Sequence, residues 1–257
     1  MSRIAAIASN TFREAVRDRV LYNLILFALI MIGASLLIGQ ITIAVQRQLL
    51  INLGLTSISI FGVLIAIFIG IGLVSKEIDK RTLYTVLTRP VRRWEFILGK
   101  FFGLLGTLVV NALLMSIGFF LALLYLMHRL EKSDGWILVA IFFILLQFVI
   151  VTSLALLFSA FSTPIESAVL TFAIFVVGSF SEDLRAFAAS ATGTTHYLAT
   201  AMAYVIPNFS ALNVISQVAH GSAVDLHLAL FNTVYAITYA GAAVCAASII
   251  FQNRNMK

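Results

Sequence analysis

The residues with the most chemical potential crowd into one stretch, Ser75 to Lys100, which reads SKEIDKRTLYTVLTRPVRRWEFILGK. It holds seven of the seventeen Lys and Arg residues (Lys76, Lys80, Arg81, Arg89, Arg92, Arg93 and Lys100) together with Glu77, Asp79 and Glu95. Mixed charges at this density suit docking against a complementary surface. They cannot sit in hydrocarbon, because each Lys, Arg or Asp at the centre of a spanning helix costs roughly 2.5–3.5 kcal/mol. The island is therefore expected to face water. Covalent chemistry finds no support elsewhere. No G-x-x-x-x-G-K-[ST] occurs, since Gly99-Lys100 is followed by Phe101, so this chain is not expected to hydrolyse nucleotide. His128, His196, His220 and His227 are scattered without a Cys partner, and no Ser/His/Asp grouping follows from spacing. The chain reads as a non-catalytic protein that binds no cofactor of its own.

The elements around this island are apolar. With 257 residues, 61% of them hydrophobic and 11% charged, and a mean hydropathy of +1.04, the chain is an integral membrane protein. Soluble domains average about 45–50% apolar and about 25% charged residues. The net charge of +6 comes from basic residues at the ends of apolar spans, which marks topology and excludes nucleic acid as the expected partner. Cys245 has no second cysteine to pair with, lies inside an apolar segment and is expected to pack structurally.

From Ser2 to Arg19, Ile4, Ile7, Ala8, Phe12, Ala15 and Val16 recur at helical spacing, opposite Asn10, Glu14, Asp18 and the basic Arg3, Arg13 and Arg17. This predicts an amphipathic helix on the membrane surface, with Arg3, Arg13, Arg17 and Arg19 meeting anionic lipid. A plain solvated leader is the alternative. The segment carries Glu14 and Asp18 ahead of the first apolar run, so it does not read as a cleaved signal and is expected to be retained.

Six spans follow: Val20 to Gly39, Asn52 to Val74, Phe101 to Met127, Trp136 to Ala160, a fifth of about fifteen residues from Glu166 to Phe180, and Leu226 to Phe251. A short loop with Gln46, Arg47 and Gln48 joins the first two, and the turn HRLEKSDG follows the third. Thr163-Pro164-Ile165-Glu166 has the form of a capping box with Pro at the first helical position, which makes Glu166 a helix-start residue rather than a proton carrier. The fifth span is short for a crossing. Residues 181–225 mix apolar runs with Gly193, Pro207 and Gly221, which predicts two or three short, partly re-entrant helices at the far mouth of the bundle, or else an interfacial loop. No Asp, Glu, Lys or Arg lies near a span midpoint, which argues against an ion-coupled carrier. Asn23, Asn111, Gln147 and Asn232 are expected to bond between helices, and Gly99 with Gly103, or Ala66 with Gly70, to let helices approach closely. Placing the island in the cytoplasm puts thirteen of seventeen basic residues on that side, with both termini.

Within the island, Ile78, Thr82, Leu83, Val86 and Leu87 form an apolar stripe, predicting a short helix from Lys76 to Thr88 that ends before Pro90. The succession Glu77, Arg81-Thr82-Leu83, Leu87, Pro90-Val91, Arg93, Phe96 and Gly99-Lys100 resembles the pattern E-x-x-x-G-T-L…P-x-x-R-x-x-F-x-x-G-K between the second and third spans of type-2, exporter-type ATP-binding-cassette permeases. The amphipathic start, the six spans, the broken stretch before the last and Pro207-Asn208 extend the resemblance over nearly the whole chain. Arg81 departs from the family's usual Gly.

The resemblance implies an all-α membrane protein, one permease domain over residues 1–257, with an interfacial helix (2–19), a cytoplasmic coupling region between spans two and three (75–100) and an extracytoplasmic gate (181–225) before span six. It further implies a permease in the inner (plasma) membrane that works as a homo- or heterodimer and exports its cargo. Separate cytoplasmic ATPase subunits would bind ATP and Mg. Glu77, Arg81, Thr82, Leu83, Leu87, Pro90 and Arg93 would then couple to the ATPase, and Asn111, Gln147, Pro207, Asn208 and Asn232 would line gate and pathway. A self-sufficient channel or carrier, and a membrane anchor for a cytosolic ATPase, are the alternatives of a different class.

Overall fold

The computed structural model describes residues 3–41, 46–79, 92–127 and 134–253, and every regular element in them is helical. In chain order these are α1 (Arg3–Val16), α2 (Arg19–Ile41), α3 (Gln46–Asp79), α4 (Arg93–Met127), α5 (Gly135–Ser159), α6 (Pro164–Ser179), α7 (Ser181–Ser190), α8 (Thr194–Val205), a 3₁₀ turn (Ser210–Leu212), α9 (Ile215–Ala219) and α10 (Leu226–Asn253). Among the described residues, five stretches are long and apolar enough to cross a bilayer, four of them on α3, α4, α5 and α10 and the fifth at 194–219, or six if the α6–α7 pair, bent by 65°, counts as one. The chain is a multi-pass membrane protein. Each of the six expected spans falls on a helix: α2, α3, α4, α5, α6 and α10. Residues 194–219, where no full span was expected, pass on composition, but α8 ends at Val205, so they are not one straight rod; among the described residues α2 offers only the shorter apolar stretch Leu24–Ala34.

The bundle is built around α5, whose residues are apolar on every side and must therefore be covered on every side. It packs against α3, α4, α6 and α10, burying Phe143, Phe148 and Leu156 against a core that includes Ile58, Ile65, Leu104 and Phe119. Two contacts mark the ends. Near the island, Phe96 of α4 stacks on Phe251 of α10 with ring centroids 5.9 Å apart. At the far end Arg47 and Asp134 form a largely buried ion pair that ties the start of α3 to the start of α5.

Several boundaries differ from expectation. Gln46, Arg47 and Gln48 belong to α3 rather than to a loop, because Arg47 is held by Asp134. The same helix runs on to Asp79, so the start of the expected island helix is continuous with span two. With 34 and 35 residues, α3 and α4 are about 50 Å long at 1.5 Å per residue and overrun a hydrocarbon core of about 30 Å. Cys245 is exposed on α10 and takes no part in the core.

Arg3 and Arg13 of the amphipathic α1, Arg17 just after it and Arg19 at the start of α2 are exposed, but much of the apolar side of α1 is spent on protein, not lipid. It packs along the first turns of α4, with Thr11 and Ala15 fully buried. Gly99 and Gly103 make the seat. A Cβ on Gly99 would stand 2.6 Å from Ile7, and one on Gly103 would stand 2.6 Å from the Ala8 carbonyl oxygen. Lys100, between them, does not face water as expected: it is 1% exposed, its Nζ 3.8 Å from the Glu14 carboxylate and 5.6 Å from the centre of the Phe96 ring. The pairing offsets what a lone buried ammonium would cost.

Candidate functional site

At the island end, α3 delivers Glu77 and Arg93 opens α4; Arg81, Thr82, Leu83, Leu87 and Pro90 lie outside the described residues. The first turn of α4 is organised by Glu95. Its Oε2 accepts from the Arg92 backbone N–H at 2.9 Å, which satisfies a donor the helix start would leave orphaned, and lies 3.8 Å from Arg3. Arg3–Glu95 and Glu14–Lys100 thus link α1 to α4 on either side of Gly99. Any force on the start of α4 is shared with α1.

The far end is stitched around Asn208, which is nine-tenths buried. Its Oδ1 accepts from the Ser181 hydroxyl and, at 3.1 Å, from the Ala211 backbone N–H, while its own backbone N–H donates to Tyr235 Oη at 2.9 Å. Asn232 Nδ2 donates to the Ala211 carbonyl at 2.9 Å, and Tyr239 Oη to that of Val205 at 3.1 Å. The Phe209 N–H donates to the Gly178 carbonyl at 3.1 Å, and a Cβ on Gly178 would stand 2.5 Å from the Pro207 oxygen. The end of α6, the start of α7, the crossing at residues 205–212 and the first turns of α10 therefore form one unit. Asn208→Ala removes the shared acceptor and strands a buried hydroxyl, which predicts about 2 kcal/mol lower stability. Thermal unfolding of the detergent-solubilised chain checks it.

Of the polar residues expected inside the bundle, Gln147 accepts from Ser59 at 3.2 Å and joins α5 to α3, and Asn232 bonds as above. Asn111 is 4% exposed, and its Nδ2 finds no hydrogen-bond partner among the described residues. Thr163 and Glu166 form the expected capping box at the start of α6. Sequence reasoning passed over Ser181, Tyr235 and Tyr239. The turn they support carries the Pro207-Asn208 pair that the resemblance singled out.

A bundle of this make-up, with a charged island on overlong helices and a braced, broken segment before the last span, matches one family over residues 5–256, described as ABC-2 family transporter protein. The chain belongs to that family. It is thus a membrane permease of the ATP-binding-cassette class, whose members are in general non-catalytic subunits that work with ATPase subunits. No curated protein matches the sequence. In this ABC-2 protein the island end is formed by α3, α4 and α1, and the Asn208 unit lies at the opposite end.

Proposed function

We propose that this ABC-2 permease forms a translocation pathway as a dimer and is driven by separate ATPase chains docked at the island. In this reading the island and both termini are cytoplasmic, the membrane is the inner (plasma) membrane, and cargo moves outward. ATP and Mg belong to the partner, and this chain binds neither. One observation carries the proposal: α3 and α4 are each about 50 Å long, more than a hydrocarbon core of about 30 Å needs, and the charged island joins them in sequence. Helices of that length can transmit displacement as levers, so closure of the ATPase against residues 76–88 would move both spans together with α1. The nitrogen of Asn111, without a described partner, suits a pathway wall completed by a second copy, whereas Gln147 serves packing. The unit around Pro207, Asn208 and Asn232 would act as the outer gate.

Glu77→Ala and Arg93→Ala are expected to lower ATP turnover of the assembled complex about tenfold, within the usual range of coupling energies, with membrane insertion unchanged. Coupled turnover at the wild-type rate in both variants would sink the assignment. Co-purification from native membranes supplies the first test: a P-loop ATPase should accompany the chain at equal stoichiometry.

A further inference from the structure

In a chain that is 61% hydrophobic, a cavity of about 480 Å³ at the far end gathers polar side chains from separate elements. Ser179 comes from α6, Glu182 from α7, Ser210 from the 3₁₀ turn, Asn213 from the segment after it, Gln217 from α9 and Asn232 from α10. The volume suits a small ligand.

Its chemistry is acceptor-rich. Glu182 is exposed to the cavity mouth and makes no ion pair with any described residue. Asn232 is 8% exposed, and its amide nitrogen is identified by its bond to the Ala211 carbonyl. The oxygen of the same amide takes no hydrogen bond from a described residue and is left to the cavity. Ser179 spends its proton on the Phe175 carbonyl at 2.8 Å, so its oxygen too can accept. Among the described residues no Lys or Arg lines the cavity; Arg185 lines a different one with His196 and Tyr204. An anion would meet a carboxylate and no compensating charge. No aromatic ring lines it either, which removes the usual means of holding a quaternary ammonium.

We propose that this cavity binds a primary ammonium group, whose three N–H donors match the Glu182 carboxylate, Asn232 Oδ1 and a serine oxygen. The group can come from a soluble amine or from a phosphatidylethanolamine headgroup, since the cavity lies at one end of the bundle.

The test uses the full chain in phosphatidylcholine nanodiscs, titrated with n-butylammonium and with its N,N,N-trimethyl analogue, and read by thermal unfolding. A second arm places phosphatidylethanolamine in the nanodisc and counts lipids retained in native mass spectrometry. Stabilisation by n-butylammonium but not the trimethyl analogue, with half-saturation raised at least tenfold in Glu182→Gln, supports a soluble amine. Ethanolamine lipid retained by wild type and lost in Glu182→Gln supports the headgroup. Gln217→Ala, at an exposed position of the same wall, checks the cavity without touching the carboxylate and should weaken whichever signal is seen. Equal responses to both ammonium probes, an unchanged response in Glu182→Gln, or silence in both arms overturns the assignment. No ATPase takes part, so that failure would leave the permease reading untouched.

Discussion

Gly103→Val will release α1 from α4. The new Cβ alone would stand 2.6 Å from the Ala8 carbonyl oxygen and 2.6 Å from Thr11 Cβ. The first of these is backbone, which cannot swing aside as the end of a flexible side chain can. Overpacking of this kind costs about 1–3 kcal/mol, and here the cheapest relief is for α1 to lift away. Each 1.4 kcal/mol shifts the docked-to-free ratio tenfold, so trypsin should cut after Arg13 and Arg17 about ten times faster in the variant. Lys100, freed from its cover, should become open to amine-reactive reagents. Gly106→Ala supplies the control one turn further on, where an added Cβ would make an ordinary 3.6 Å contact with Phe12. Equal cleavage of Gly103→Val and wild type would show that α1 is not held by the glycine seat. Because α1 and the first turns of α4 sit beside the island, the same variant is expected to weaken coupling to the ATPase without removing an island charge.

That docking is also where the sequence stops short. The apolar stripe of α1 was legible, but a stripe at helical spacing is the same whether it is covered by lipid or by protein. Gly99 and Gly103 announced a close approach without naming the partner, since spacing within one helix says nothing about which other helix arrives. Lys100 misled for a related reason. A lysine at the end of an apolar run is ordinarily at the water boundary, and its burial depends on Glu14 in a distant part of the chain. The spans, by contrast, were legible because α3, α4, α5 and α10 are each long enough to dominate their stretch of sequence. Their ends were less so: nothing local distinguishes Gln46–Gln48 in a loop from the same residues in a helix held by a remote Asp134.

The far end was half legible. Gly193, Pro207 and Gly221 marked the breaks, and Gly193 and Gly221 do take positive φ, 65° and 72°, where a Cβ would be strained. Pro207-Asn208, where the chain turns, stood out only through the family resemblance. What holds that turn did not, because Ser181, Tyr235 and Tyr239 are single polar residues in apolar surroundings, and only the packing of α6 and α10 around residues 205–212 brings them together. The acceptor-rich cavity beside them was invisible for the same reason. Its walls come from six parts of the chain, none of which carries a motif.

Asp134→Ala will destabilise the bundle by about 3–5 kcal/mol, the cost of leaving a buried charge without its partner. Asp134 has a side chain only 6% exposed, and Arg47 one 23% exposed, so neither can regain full hydration by a small movement. The Arg47 guanidinium then loses the Asp134 carboxylate. The start of α3 must then shift outward to hydrate it, pulling Leu50 and Ile51 from the core. Replacing both partners tests whether the pair contributes net stability or merely must not be halved. Arg47→Leu with Asp134→Leu removes both desolvation costs, and the double variant is expected to recover most of the loss. Unfolding of the two single variants and the double variant in detergent, analysed as a cycle, separates the cases. A double variant as unstable as the sum of its parts would mean that the two residues act independently and that the far end of α3 is held by packing alone.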